Sequence, residues 1–146
     1  MIINFPTSKT PFMSTAKLNA RSTAVARVLL GLIYLIFGLN FFLHFLPNSA
    51  PQGKAASFVT GLFQSEYFFP FMKAVEVVAG LLLILRFYVP LLLVILMPIS
   101  LNILLFHIFL APSGIGFSLL IIALQLFLAW QYRESYKGLF VGKPAF

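Results

Sequence analysis

Four stretches of this chain, residues 24–45, 68–87, 90–110 and 115–132, are almost wholly apolar, and each is close to the length of a membrane-spanning helix. A helix rises about 1.5 Å per residue, so about 20 apolar residues match the roughly 30 Å of hydrocarbon in a bilayer. Composition agrees. Only 9% of the 146 residues are charged and 61% are hydrophobic, whereas about a quarter of a soluble domain is charged. The expected fold is all-α: a polytopic membrane protein whose transmembrane domain, residues 24–132, is a four-transmembrane-helix bundle. One compact domain is expected, without a substantial soluble module.

The connections are short except for one. Residues 1–23 form a polar N-terminal segment in which Ser22 or Thr23 is placed to cap the first helix. The first apolar run is read as a retained span, not a cleaved signal peptide, because further spans follow it. Between spans one and two, Ala55, Phe58, Val59, Leu62 and Phe63 recur at helical spacing, which predicts a short amphipathic helix against the membrane surface in the first extracytoplasmic loop. Residues 86–90 and 111–114 read as tight turns, and Pro98 interrupts span three. Trp130 and Tyr132 suit the headgroup level, and residues 133–146 form a basic tail.

The net charge of +7 does not indicate nucleic acid, because the basic residues bracket apolar runs instead of forming a stripe among surface aromatics. It suits anionic headgroups and helix orientation. Lys9, Lys17, Arg21, Arg27, Arg86, Arg133, Lys137 and Lys143 flank one side of the bundle, and only Lys54 lies in a loop on the other. The excess places both termini in the cytoplasm, and the compartment is read as the bacterial cytoplasmic (inner) membrane. The chain contains no cysteine, which excludes thiol–disulfide exchange and thiolate-held metal centres.

Polar residues inside apolar runs are costly and mark sites. Lys73 and Glu76, three residues apart at the head of span two, share one helix face. Asn40 and His44 lie near the outer end of span one, and Asn102 and His107 near the outer end of span three. All six reach similar depth, which predicts a shared polar cavity in the outer half. Asn102 and His107 are five residues apart and cannot both face it on a straight helix. Asn102, on the face of Pro98, is expected inside, and His107 at a rim or against the connecting loop. Ser118 and Gln125 share a face of span four, with Gln125 deeper and placed to bridge helices. His44, Glu76 and His107 offer too few ligands to indicate a metal. Gly31 and Gly38, seven apart, would admit a neighbouring helix within the chain or across a dimer. There is no Gly-rich phosphate loop, G-x-S-x-G or H-E-x-x-H; Gly114-Ile115-Gly116 reads as a turn and helix start.

Three stretches, Arg27–Asn40, Phe68–Leu83 and Asn102–His107, together resemble a DoxX-type family of small bacterial membrane proteins. The segment Lys73-Ala74-Val75-Glu76-Val77-Val78-Ala79-Gly80 is the most specific part. The resemblance covers residues 24–137 and implies a four-helix membrane bundle. For some relatives it implies association with a thiosulfate:quinone oxidoreductase or with membrane oxidoreductase assemblies that handle oxidative stress. Without cysteine, this chain cannot process sulfur covalently. The expected function is a redox-associated subunit binding a quinone or similar lipid-soluble molecule in the outer cavity. Asn40, His44, Glu76 and Asn102 would contact its polar head, and Glu76 or His44 would relay a proton. The alternatives are a membrane scaffold or assembly factor with a structural polar core, and a small transporter whose path would have to use Tyr34, Ser100 and Gln125. No covalently bound cofactor is expected. The expected partners are membrane lipids, oxidoreductase subunits or a second copy of the chain.

Overall fold

The computed structural model describes residues 12–47 and 50–140, which form helices and turns with no strand among them. Lys9 and Lys143 lie outside the described residues. The helices are α1 (Phe12–Leu43), α2 (Gly53–Gln64), α3 (Phe68–Ile84), α4 (Val89–Phe109) and α5 (Ile115–Gln131), with 3-10 segments at Pro112–Gly114 and Arg133–Phe140. Three helices are long and apolar enough to cross a membrane: Asn19–Leu43, Val89–Phe109 and Pro112–Gln131. The 17 residues of α3 extend about 25 Å. They reach crossing length only together with α2, from which they turn by 90°.

The long helices form a closed ring in which α3 packs on α1, α1 on α5, α5 on α4 and α4 on α3. The α1–α3 contact is the most extensive, and its cause is small residues. A methyl group on Gly80 would lie 2.6 Å from the Leu35 nitrogen and 2.7 Å from the Gly31 carbonyl. One on Gly38 would lie 2.8 Å from Val77 Cγ2. The two backbones therefore touch, with α3 antiparallel to α1. Both predicted packing glycines, Gly31 and Gly38, are used within the chain.

The helix ends have specific causes. α1 continues well upstream of residue 24, so Ser22 and Thr23 are not caps. Their hydroxyls donate back to the Asn19 carbonyl, at 3.1 and 2.7 Å, an ordinary bond inside a helix. α3 stops at Ile84 because Arg86 adopts φ 67°. The Arg86 and Phe87 amides then donate to the carbonyls of Leu83 and Leu82, at 3.1 and 2.9 Å. This is a Schellman ending with arginine where glycine is usual.

The amphipathic helix predicted over residues 55–63 is present as α2, with Ala55 buried. It is held across one end of the ring by aromatic contacts. Phe63 packs 4.4 Å from Phe69 and 6.2 Å from Phe41, and Phe58 packs 5.9 Å from Phe106, ring centre to ring centre. The Ser65 hydroxyl joins α2 to α3 by donating to the Leu62 carbonyl and accepting from the Phe68 amide. At the other end, Tyr136 ties the Arg133–Phe140 segment to the first turn of α4 by donating to the Pro90 carbonyl at 3.1 Å.

The distribution of side chains departs from that of a water-soluble bundle, because polar groups join an apolar core while large apolar side chains cover the outside. Asn40, Glu76, Ser100, Ser118 and Gln125 are buried, while Val78, Leu91, Leu119 and Leu126 are each more than half exposed. The closeness of α1 and α3 gives a test. Gly80→Ala should lower stability by about 1–3 kcal/mol, the usual cost of overpacking. Gly61→Ala, where the methyl meets nothing within 4 Å, should be neutral or stabilising by up to about 1 kcal/mol. Thermal unfolding of both variants in one detergent measures this, and equal effects would refute the backbone-contact account.

Candidate functional site

Glu76 is the most deeply buried charge in the described bundle, at 1% exposure. The α1–α3 contact puts it there, since it lies one turn before Gly80 on the strip that α1 covers. Lys73 accompanies it, with Nζ donating to both carboxylate oxygens at 3.0 and 2.8 Å. The Lys73 side chain keeps 18% of its surface, so the pair has one end in the interior and one at an edge. Leaving either partner alone would strand a charge, at a typical cost of about 3–5 kcal/mol.

A second polar chain crosses the middle of the ring. The Tyr34 hydroxyl from α1 meets the Ser100 hydroxyl from α4, and Ser100 also donates to Gln125 Oε1 from α5. Gln125 Nε2 donates to the Leu93 carbonyl at 2.8 Å. Gln125 thus bridges α4 and α5, as its depth suggested. Ser118, on the same face, is buried and donates to the Ile115 carbonyl at 2.9 Å. No buried side-chain nitrogen or oxygen among the described residues lacks a hydrogen-bond partner.

Between these two networks lies a cavity of about 230 Å³, bounded by Tyr34, Phe37, Lys73, Glu76, His107 and Phe117 among others. It is one of a string. A cavity of about 180 Å³ beneath α2 shares Lys73, Ile103 and His107 with it. A third, of about 380 Å³ between α3 and α4, shares Phe68, Met72, Ile99 and Asn102 with the second. Polar groups gather at the Glu76 end of this string, and the rest is mainly apolar.

Of the six predicted site residues, the structure brings three together: Lys73, Glu76 and His107. Asn40 is buried elsewhere and accepts a hydrogen bond from the Leu46 amide at 2.6 Å, shaping the exit of α1. His44 lies past the end of α1 at φ 51° and is exposed. Asn102 does not take the inner place expected for it, whereas His107 packs against the connecting loop, one of the two places expected, and from there lines the inner cavity. Asn102 does follow Pro98 around the helix, but that face is exposed, so Asn102 edges only the two outer cavities. His107 is half-buried and lines the inner one.

The reason for His107's position lies in the turn. Its Nδ1 donates to the Ala111 carbonyl at 2.9 Å. Its ring fills the space that a side chain at 114 would need, with Cε1 only 2.0 Å from a methyl placed there. Gly114 is thus a seat for the imidazole and more than a turn residue. Because a carbonyl only accepts, Nδ1 carries the hydrogen, and in the neutral ring Nε2 is left as an acceptor. No group of three or more His, Cys, Asp or Glu able to hold a metal stands among the described residues. Tyr34, Ser100 and Gln125 were legible as the polar residues of the inner half, but their sequence positions on three helices did not show that they bond to one another.

Compared with family models, curated proteins and solved structures, the chain finds no significant match. The fold and the site are therefore the ground on which function is argued: an all-helical chain whose polar groups face inward on a small cavity. The seat of His107 is testable. Because the chain has only two histidines, ring NMR signals separate cleanly. Gly114→Ala should shift the His107 resonances and leave those of exposed His44 unchanged. An unmoved His107 spectrum would contradict the packing described.

Proposed function

We propose that the protein is a multi-pass membrane protein of the DoxX type that binds a quinone or a similar lipid-soluble molecule beside Lys73, Glu76 and His107. In this reading α3, with α2 lying across its start, completes four spans, with both termini on the cytoplasmic side of a bacterial inner membrane. The inward-facing polar groups and outward-facing leucines support the membrane setting. The excess of Lys and Arg at one end supports the orientation.

The observation that carries the ligand reading is the string of cavities. It runs from the α3–α4 face to a polar corner formed by Lys73, Glu76, His107 and Tyr34. Binding sites for such molecules are mostly apolar with a few placed polar groups. The inner cavity suits a ring-sized head, and the outer two suit an apolar tail. His107 Nε2 supplies an acceptor for a hydroxyl and Lys73 a donor for a carbonyl, so the corner matches both forms of a quinone. Participation in a membrane oxidoreductase assembly follows from this reading together with the family resemblance.

A second reading has its own support. Every buried polar side-chain atom among the described residues already has a partner, which suits a scaffold or assembly factor with a structural polar core. The experiment separates them. Wild-type, Ile103→Phe and Glu76→Gln proteins are extracted in lipid nanodiscs, and bound quinone is quantified after solvent extraction and after adding a short-chain ubiquinone analogue. Ile103 lines the inner cavity and the one beneath α2 without joining a polar network. Quinone near one per chain in wild type and lost in folded Ile103→Phe is the expected result. A wild type that is empty and takes up no added analogue would leave the scaffold reading standing.

A further inference from the structure

At the opposite end of the bundle is a separate cavity of about 330 Å³, bordered by Asn19, Thr23, Arg27, Arg86, Gln131 and Tyr132 among others. It shares no residue with the three cavities described above. Two arginines 59 positions apart in sequence converge on it from α1 and from the α3–α4 turn, and no acidic side chain lines it. The nearby acid Glu134 is paired with Lys137, lies 3.9 Å from the Arg133 guanidinium and is 65% exposed.

Each arginine has a feature that helix packing alone does not require. Arg27 is 9% exposed, and its Nη1 donates to the last carbonyls of α3, those of Leu83 and of Ile84, the latter at 2.7 Å. That accounts for one edge of the guanidinium. A guanidinium has five N–H donors in a planar fork, and the residue also borders the cavity. Arg86 holds the left-handed position of the Schellman turn at φ 67°, where glycine or asparagine is the unstrained choice. His44, Glu66 and Tyr88 share a positive φ, so what marks Arg86 is that its side chain borders the same cavity as Arg27. Asn19, Thr23, Gln131 and Tyr132 supply neutral hydrogen-bonding groups around the same space.

We propose that this cavity binds a phosphate-bearing group, of the kind an anionic phospholipid headgroup or a free phosphate ester carries, with Arg86 and the free edge of Arg27 as its charged contacts. Arginine forks match phosphate oxygens in pairs, and basic pockets between helices at a membrane surface select anionic headgroups. The inference is independent of the quinone reading, since it concerns the other end of the bundle.

The test uses the full chain in a neutral detergent. Native mass spectrometry follows binding of phosphatidylglycerol and phosphatidylcholine to wild type, Arg86→Gly and Arg86→Lys, and unfolding is followed without lipid. Wild type should prefer phosphatidylglycerol by about fivefold or more, in line with one well-placed cation at a membrane surface. Arg86→Gly should lose the preference while its melting temperature stays level or rises, because glycine relaxes the turn. Arg86→Lys should keep part of the preference. Glycerol 3-phosphate and inorganic phosphate are then added as competitors. Displacement of the lipid by either assigns the site to soluble phosphate compounds, and no displacement assigns it to the lipid. Equal binding of the two lipids with no binding of phosphate would overturn the proposal. So would an Arg86→Gly protein that binds like wild type, or one that simply melts early.

Discussion

Where Gly31 and Gly80 meet, two helix backbones come closer than any side chain would allow, and the rest of the interior is arranged around that approach. Glu76 lies one turn before Gly80, and Tyr34 lies one turn after Gly31. Because the helices run antiparallel, these two residues arrive side by side on the same cavity. Separating α1 from α3 by the width of a methyl group would loosen the cover over Glu76 and draw Tyr34 away from it. Packing here is a precondition for the chemistry and cannot be varied independently of it.

The two ends of the bundle solve different problems. At the α2 end, apolar rings form a roof over cavities whose charges are already mutually compensated, Lys73 against Glu76. At the other end, cations are left in excess. Arg27 is partly answered by the negative end of the α3 dipole at Leu83 and Ile84, while Arg133 leans on the Trp130 ring at 5.0 Å. A compensated site holds a neutral guest without a net electrostatic cost. An uncompensated one favours an anion.

Much of this was legible from residue order. The apolar runs located α3, α4 and α5 to within three residues at each end, and the spacing of Ala55 to Phe63 located α2. Lys73 and Glu76 were legible as a pair because i and i+3 neighbours meet on any helix. What failed were inferences about which face turns inward. Asn102 and His107 were correctly placed on different faces, but nothing in the sequence of α4 alone says which faces α1. The packing of the whole helix decides it: His107 lies seven positions after buried Ser100, and Gly114 leaves the room its imidazole needs. Likewise His44 lies four positions after Asn40, and only the ending of α1 at Leu43 removes it from that face. Ser22 and Thr23 misled because a capping residue and a hydroxyl bonded within a helix look alike in sequence.

The hydrogen-bonded chain through Tyr34, Ser100 and Gln125 has a direction. The Leu93 carbonyl can only accept, so the Gln125 amide must present its nitrogen there and its oxygen to Ser100. Ser100 has a single proton, and both Gln125 Oε1 and the Leu96 carbonyl are acceptors for it. Tyr34 is therefore the donor to Ser100, and every proton in the chain points from α1 toward α4 and α5. Such a wire is polarised, with its electron-rich terminus at the phenol oxygen. Any further bond made there must be given by the other party. A carboxamide on one side of the bundle thereby sets the hydrogen-bonding character of a phenol on the other.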